Sequence, residues 1–165
     1  MRDFIIEPLR LGRKLELRFW SMTIERWPTA PAYKKIEAGI QYVINTDLND
    51  TRDSREKYTP ESPNWGKSGE LFSVVKSFLP PFFHRNLMLY NPLGTSLDWY
   101  QGVDAFFSCK GVYVTIDITL REEKDVNADF PLYEEDIDEG FLDLGEKIAL
   151  KIQERWALQR HLRSK

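Results

Sequence analysis

The chain is expected to fold as an α+β domain, a small, mostly antiparallel sheet flanked by helices in a sandwich-like arrangement. Three observations lead there. Residues 102–124, GVDAFFSCKGVYVTIDITLREEK, form a hairpin pattern: a Val- and Phe-rich run, a break at Cys109-Lys110-Gly111, and a second run. That second run alternates, with Val112, Val114, Ile116, Ile118 and Leu120 on one face and Tyr113, Thr115, Asp117, Thr119 and Arg121 on the other. Apolar residues at helical spacing occur before and after the hairpin, and helices so patterned are what its apolar face needs as cover.

The elements follow in order. Leu17, Trp20, Ile24 and Trp27 predict a helix within residues 9–27, stopped by Pro28. Tyr33, Ile36, Ile40, Val43 and Ile44 predict a second over about 30–46. Residues 47–64 are polar and hold two prolines, the composition of a loop. Ser68 has the character of an N-cap for a helix carrying Glu70 in its first turn and Leu71, Val74, Val75 and Phe78 on one stripe, ended by Pro80-Pro81. Arg85–Tyr90 is a short strand, and Pro92–Gln101 connects it to the hairpin. Phe141, Leu144, Ile148, Ile152 and Trp156 predict a long final helix over about 137–161, acidic at its start and basic at its end, as the helix dipole favours. The whole is one domain: a helical extension (1–46), a loop (47–64) and a core (65–165).

Composition excludes several classes. With 165 residues, 42% of them apolar, the chain can bury a core. A net charge of -3 argues against a general DNA coat, although Arg10, Arg13, Lys14, Arg18, Arg26, Lys34 and Lys35 make the first third locally basic. One cysteine, Cys109, excludes an intramolecular disulfide and a cysteine-based zinc site, and two histidines are too few for a histidine-rich metal centre. No apolar run is long enough to span a membrane and residues 1–10 lack a signal-peptide pattern, so a cytoplasmic protein without a membrane partner is expected. Between Glu122 and Glu146 eleven acids accompany one lysine, a solubilising stretch or a surface for a basic partner. Glycine-rich phosphate loops, nucleophile elbows and HExxH patterns are missing.

Chemistry points to the carboxylates. If the turn is tight at Cys109–Gly111, residues whose numbers sum to about 221 face each other, which puts Asp104 opposite Asp117 or one position off. Aspartate is disfavoured in mid-strand, and two facing carboxylates repel unless a cation or a shared proton lies between them. Mg²⁺ or Mn²⁺, hard ions taken by carboxylates, carbonyls and water, meet that need, and such an ion activates water and offsets charge on a phosphate.

In this arrangement the chain resembles the PD-(D/E)XK nuclease-like superfamily, which includes restriction endonuclease-like and Holliday-junction-resolvase-like proteins. Val103-Asp104 is similar to the first motif and Asp117-Ile118-Thr119 to the second, with the acid-bearing helix of Glu70 ahead of them, over about residues 65–156. The resemblance implies a metal-dependent nuclease with nucleic acid as partner, in which Asp104, Asp117 and the main-chain carbonyl of Ile118 hold Mg²⁺ or Mn²⁺ and Glu70 assists. The motif lysine is replaced by Thr119. Arg121, on the same strand face as Asp117, could supply charge but not proton transfer, because arginine stays protonated; Lys147 and Lys151 are further candidates. The family's strand after the last helix has no counterpart. Two alternatives stand beside the nuclease: a catalytically inactive nuclease-like binding or assembly module, and an unrelated α+β interaction domain whose aspartates pair with Arg85, Arg121 or Lys110. A homodimer is plausible, and the sequence sets no oligomeric state.

Overall fold

The two-residue turn Lys110-Gly111 organises the sheet. Both residues take positive φ, 50° and 83°, the combination whose twist matches a hairpin. The structure, a computed structural model, describes residues 7–20, 33, 35–45, 59–63, 66–93, 95–120 and 127–164. The turn joins β2 (Ala105–Cys109) to β3 (Val112–Ile118) in the register Ala105↔Ile116 through Cys109↔Val112. β1 (Met88–Tyr90) pairs antiparallel with β2, giving the expected antiparallel core. A fourth strand, β4 (Phe130–Leu132), adds to β3 in parallel, so the sheet is mixed, in the order β1-β2-β3-β4. Its three residues include Pro131, which has no amide hydrogen to give and therefore sits at a sheet edge.

Helices cover both faces. On one side Val112, Val114, Ile116, Ile118, Ala105 and Phe107 pack against α1 (Glu7–Trp20), α3 (Gly66–Phe78) and α7 (Leu142–Arg163) through Leu15, Phe19, Leu71, Val75, Ile148 and Ile152. Each such fully buried aliphatic side chain stabilises the fold by about 1.5–3 kcal/mol over an exposed one. Gly145 lets α7 approach α3: a Cβ there would lie 2.4 Å from Val74 Cγ1. On the other side Phe106, with Tyr90 and Tyr113, packs against α2 (Ile36–Asn45) and α5 (Ser96–Gln101) through Ile40, Val43 and Leu97. The polar face of the hairpin is thus buried as well, with Thr115 and Asp117 only 6% and 4% exposed.

The α+β class holds, and α2, α3 and α7 fall within or close to the expected ranges, as does α1 as far as Trp20; its expected continuation over residues 21–27 and stop at Pro28 lie outside the described residues. The segment from Pro92 to Gln101, expected as a connection, contains α5; α4 (Pro81–His84) and α6 (Glu134–Glu139) are further short helices. Most of the 47–64 loop lies outside the described residues, but at its end Leu89 N–H donates to the Pro60 carbonyl (2.9 Å), laying residues 59–63 beside β1. No helix among the described residues is long and apolar enough to cross a membrane.

Candidate carboxylate centre

The hairpin register carries through to the acids. Asp104 lies one residue before β2 and its N–H donates to the Ile116 carbonyl (2.8 Å), so it stands opposite Asp117. Both side chains are buried, at 3% and 4% exposure, and they share a side-chain hydrogen bond. The Ile118 N–H donates to Asp104 Oδ2 (2.9 Å) and fixes the orientation of that carboxyl. From α1, Trp20 Nε1 donates to the Asp104 carbonyl (3.0 Å), so the aspartate is held by its backbone on one side and by its carboxyl on another.

Two more acids complete the centre. Asp98 comes from α5. Leu97, fully buried on the same helix, anchors it, and Gly102, in the left-handed conformation (φ 67°), ends α5 so that the chain turns straight into Val103-Asp104. Glu16 comes from α1, whose neighbours Leu15 and Phe19 are in the core. Carboxylate oxygens of Glu16, Asp98 and Asp104 all lie within 4.8 Å of one another. Asp98 also hydrogen-bonds the Asp104 side chain. Four carboxyl groups from α1, α5, β3 and the entry to β2 therefore meet at one end of the hairpin.

The electrostatic consequence falls on Asp104. Burial pushes its carboxyl well above the usual range, the negative charges of Glu16 and Asp98 push further, and the hydrogen bonds to Asp98 and Asp117 add to the effect. A carboxyl in this position is protonated over a wide pH range or shares its charge with a cation.

Glu70 does not join the group. It lies in the first turns of α3, exposed, and pairs with Lys67 at 3.2 Å, one helical turn away on the same helix. It was expected beside the strand aspartates, but the helix acid that the structure brings to Asp104 is Glu16, from α1. Thr119 is buried and its N–H donates to the Leu132 carbonyl (2.9 Å), which serves the β3–β4 pairing. Arg121 lies outside the described residues. Lys147 pairs with Asp143 (2.9 Å) and Lys151 with Glu154 (3.6 Å), both on α7 itself. Cys109 is buried beside the Phe83 carbonyl, and desolvation pushes its thiol up to about 11, so it is no nucleophile.

Glu16 and Asp98 escaped the sequence reading. Their signal was weak but present: each is an acid embedded in apolar or aromatic neighbours, Leu15-Glu16-Leu17 and Leu97-Asp98-Trp99, where a purely solvated charge is unexpected.

Comparisons with protein-family models, with curated proteins and with solved structures give no significant match, so the resemblance to the nuclease-like superfamily rests on the residues themselves.

Proposed function

We propose that the protein is a phosphodiesterase dependent on a divalent cation and acting on nucleic acid, with Asp104 and Asp117 as the principal ligands and Glu16 and Asp98 completing the set. The observation that carries this reading is the convergence of the four carboxyls around Asp104. Its donor set suits Mg²⁺ or Mn²⁺: the ligands are all hard oxygens, those of Glu16, Asp98 and Asp104 lie within 4.8 Å of one another, close enough to share one ion at about 2.0–2.6 Å, and Asp117 adjoins them through its hydrogen bond to Asp104. A cation held there supplies a bound water of lowered pKa and offsets charge on the phosphate. The chain's own contribution is to orient Asp104 through the Ile118 amide and to keep Asp98, Asp104 and Asp117 desolvated, where their attraction for a cation is strongest. The superfamily resemblance of Val103-Asp104 and Asp117-Ile118-Thr119 agrees with it.

The test is cleavage of single-stranded and duplex oligonucleotides with Mg²⁺ or Mn²⁺, in the wild type and in Asp117→Asn. Cation-dependent cleavage abolished by the substitution is expected; activity unchanged in Asp117→Asn contradicts the assignment.

The hydrogen bonds from Asp104 to Asp98 and Asp117 favour a second reading, in which shared protons rather than a cation hold the acids together and the fold serves binding or assembly alone. In that case neither cation promotes cleavage.

A further inference from the structure

Helix α7 is acidic at its start and basic at its end, and a large apolar side chain stands bare beside each. At the start Leu142 is 70% exposed. Glu139, just ahead of the helix, and Glu146, one turn on, flank it; both are exposed, and neither pairs with a basic side chain among the described residues. At the far end Trp156, Arg160 and Arg163 fall at the i, i+4, i+7 spacing of one helix face. α4 lies against that face: the Phe82 ring meets Trp156 edge-on, with centroids 5.3 Å apart, and remains 57% exposed. Arg160 stands over the Trp156 ring at 5.0 Å, and Lys110, from the hairpin turn, over Phe82 at 3.9 Å. None of Lys110, Arg160 and Arg163 has a carboxylate partner among the described residues.

The two ends are also in line. Between Leu142 and Arg160 the helix makes about five whole turns, which returns a side chain to the same side about 27 Å further on. One side of one helix therefore bears an acidic end and a basic end, each with its own uncovered apolar group. Such a line is complementary to its own reverse: laid antiparallel on a second copy, the acidic end of each α7 meets the basic end of the other, twice, about a two-fold axis. We infer that this side of α7 is where two copies of the chain pair, antiparallel, with Leu142 and Glu146 of each against Phe82, Trp156 and Arg160 of the other. Pairing covers both apolar groups and brings to each end the counter-charge that its own chain does not supply. A parallel pairing would set like charges together, which fixes the direction. The acidic stretch that in sequence suits a basic partner thus finds one in the chain itself. The pairing does not depend on whether the carboxylate centre holds a cation.

Sedimentation equilibrium tests it on the wild type and on two charge reversals at exposed positions, Glu139→Lys with Glu146→Lys, and Arg160→Glu with Arg163→Glu. The wild type is expected at twice its chain mass of 19.5 kDa. Each reversed variant alone sets like charges at both contacts and is expected as a monomer. The two variants mixed in equal amounts are expected to form a dimer again, because every contact then joins opposite charges, and that recovery also shows both to be folded. Leu142→Ser is expected to raise the dissociation constant at least about tenfold, since two leucines per dimer return to water. A monomeric wild type, a dimer unchanged in either reversal, or a mixture that stays monomeric overturns the inference. So does a monomer that retains heparin through its basic end and loses it in Arg160→Glu with Arg163→Glu, which would assign the face to an anionic partner instead.

Discussion

Strand β3 borders two carboxylate sites, one buried and one partly buried, that solve the same problem in opposite ways. Beside Thr115, Asp129 is neutralised: Arg155 from α7 reaches both of its oxygens, at 2.7 and 2.5 Å. Its Oδ2 also accepts from the Thr115 amide (2.9 Å) and hydroxyl (3.1 Å). Arg155 reaches on to the Tyr113 carbonyl, so one guanidinium ties the edge of the sheet to the last helix. Burial pushes the Asp129 carboxyl up, but the hydrogen bonds from Arg155 and Thr115 and the Arg155 charge outweigh it and hold the group below its ordinary value. Two residues along the strand, Asp117 joins Asp104, whose carboxyl is pushed up by burial, by the charges of Glu16 and Asp98 and by hydrogen bonds to Asp98 and Asp117, with no cation from the chain among these causes. An acid that serves the fold receives its cation from the chain. At the Asp104 centre, we propose, the cation comes from solution.

The largest expected effect is on the neutralised site. Arg155→Ala leaves Asp129 partly buried without its bidentate partner, and the loss of charge-assisted hydrogen bonds of this kind costs about 1.5–3 kcal/mol. For a domain of this size that lowers the thermal midpoint by about 3–12 °C. A melting curve that does not move would show that the pair is screened by solvent and that the contrast between the sites is smaller than their geometry suggests.

The second effect sharpens the contrast through pH. Asp129, held below its unfolded value, contributes stability that is present above the ordinary aspartate range and is lost as pH falls toward its folded value. Asp104, held above its unfolded value, does the reverse: folding favours its protonated form, so stability declines as pH rises from the unfolded aspartate value up through the raised one. Denaturant titrations across pH in the absence of divalent cations should show that decline, and Asp104→Asn should remove it. A decline that persists in the variant would place its origin elsewhere.

The smallest effect tests the details of the clamp. The Thr115 hydroxyl donates to Asp129 and accepts from its amide (2.9 Å), so Thr115→Val should cost about 1 kcal/mol by chemical denaturation while leaving the Asp104 centre unchanged.

What the sequence made legible follows from chain distance. The facing of Asp104 and Asp117 came from one local fact, a turn at Lys110-Gly111, because hairpin geometry then dictates every opposed pair. The main helices were legible because their apolar spacing is long and regular. β4 was not: three residues with a central proline inside an acidic stretch have no strand pattern, and only pairing with β3 makes them one. Glu16 and Asp98 were not placed either, because tertiary packing of α1 and α5 brings them to the hairpin and no local periodicity encodes that contact. Glu70 misled for a physical reason: an acid near a helix N-terminus looks the same in sequence whether it waits for a metal or, as here in the second turn of α3, pairs with Lys67 on its own helix.

The central proposal is that an external divalent ion compensates the Asp104 centre, and calorimetric titration with Mn²⁺ tests it most directly. The account predicts saturable binding at one class of site in the wild type, lost in Asp104→Asn and retained in Arg155→Lys. No binding heat in the wild type, or identical heats in the wild type and Asp104→Asn, would contradict it.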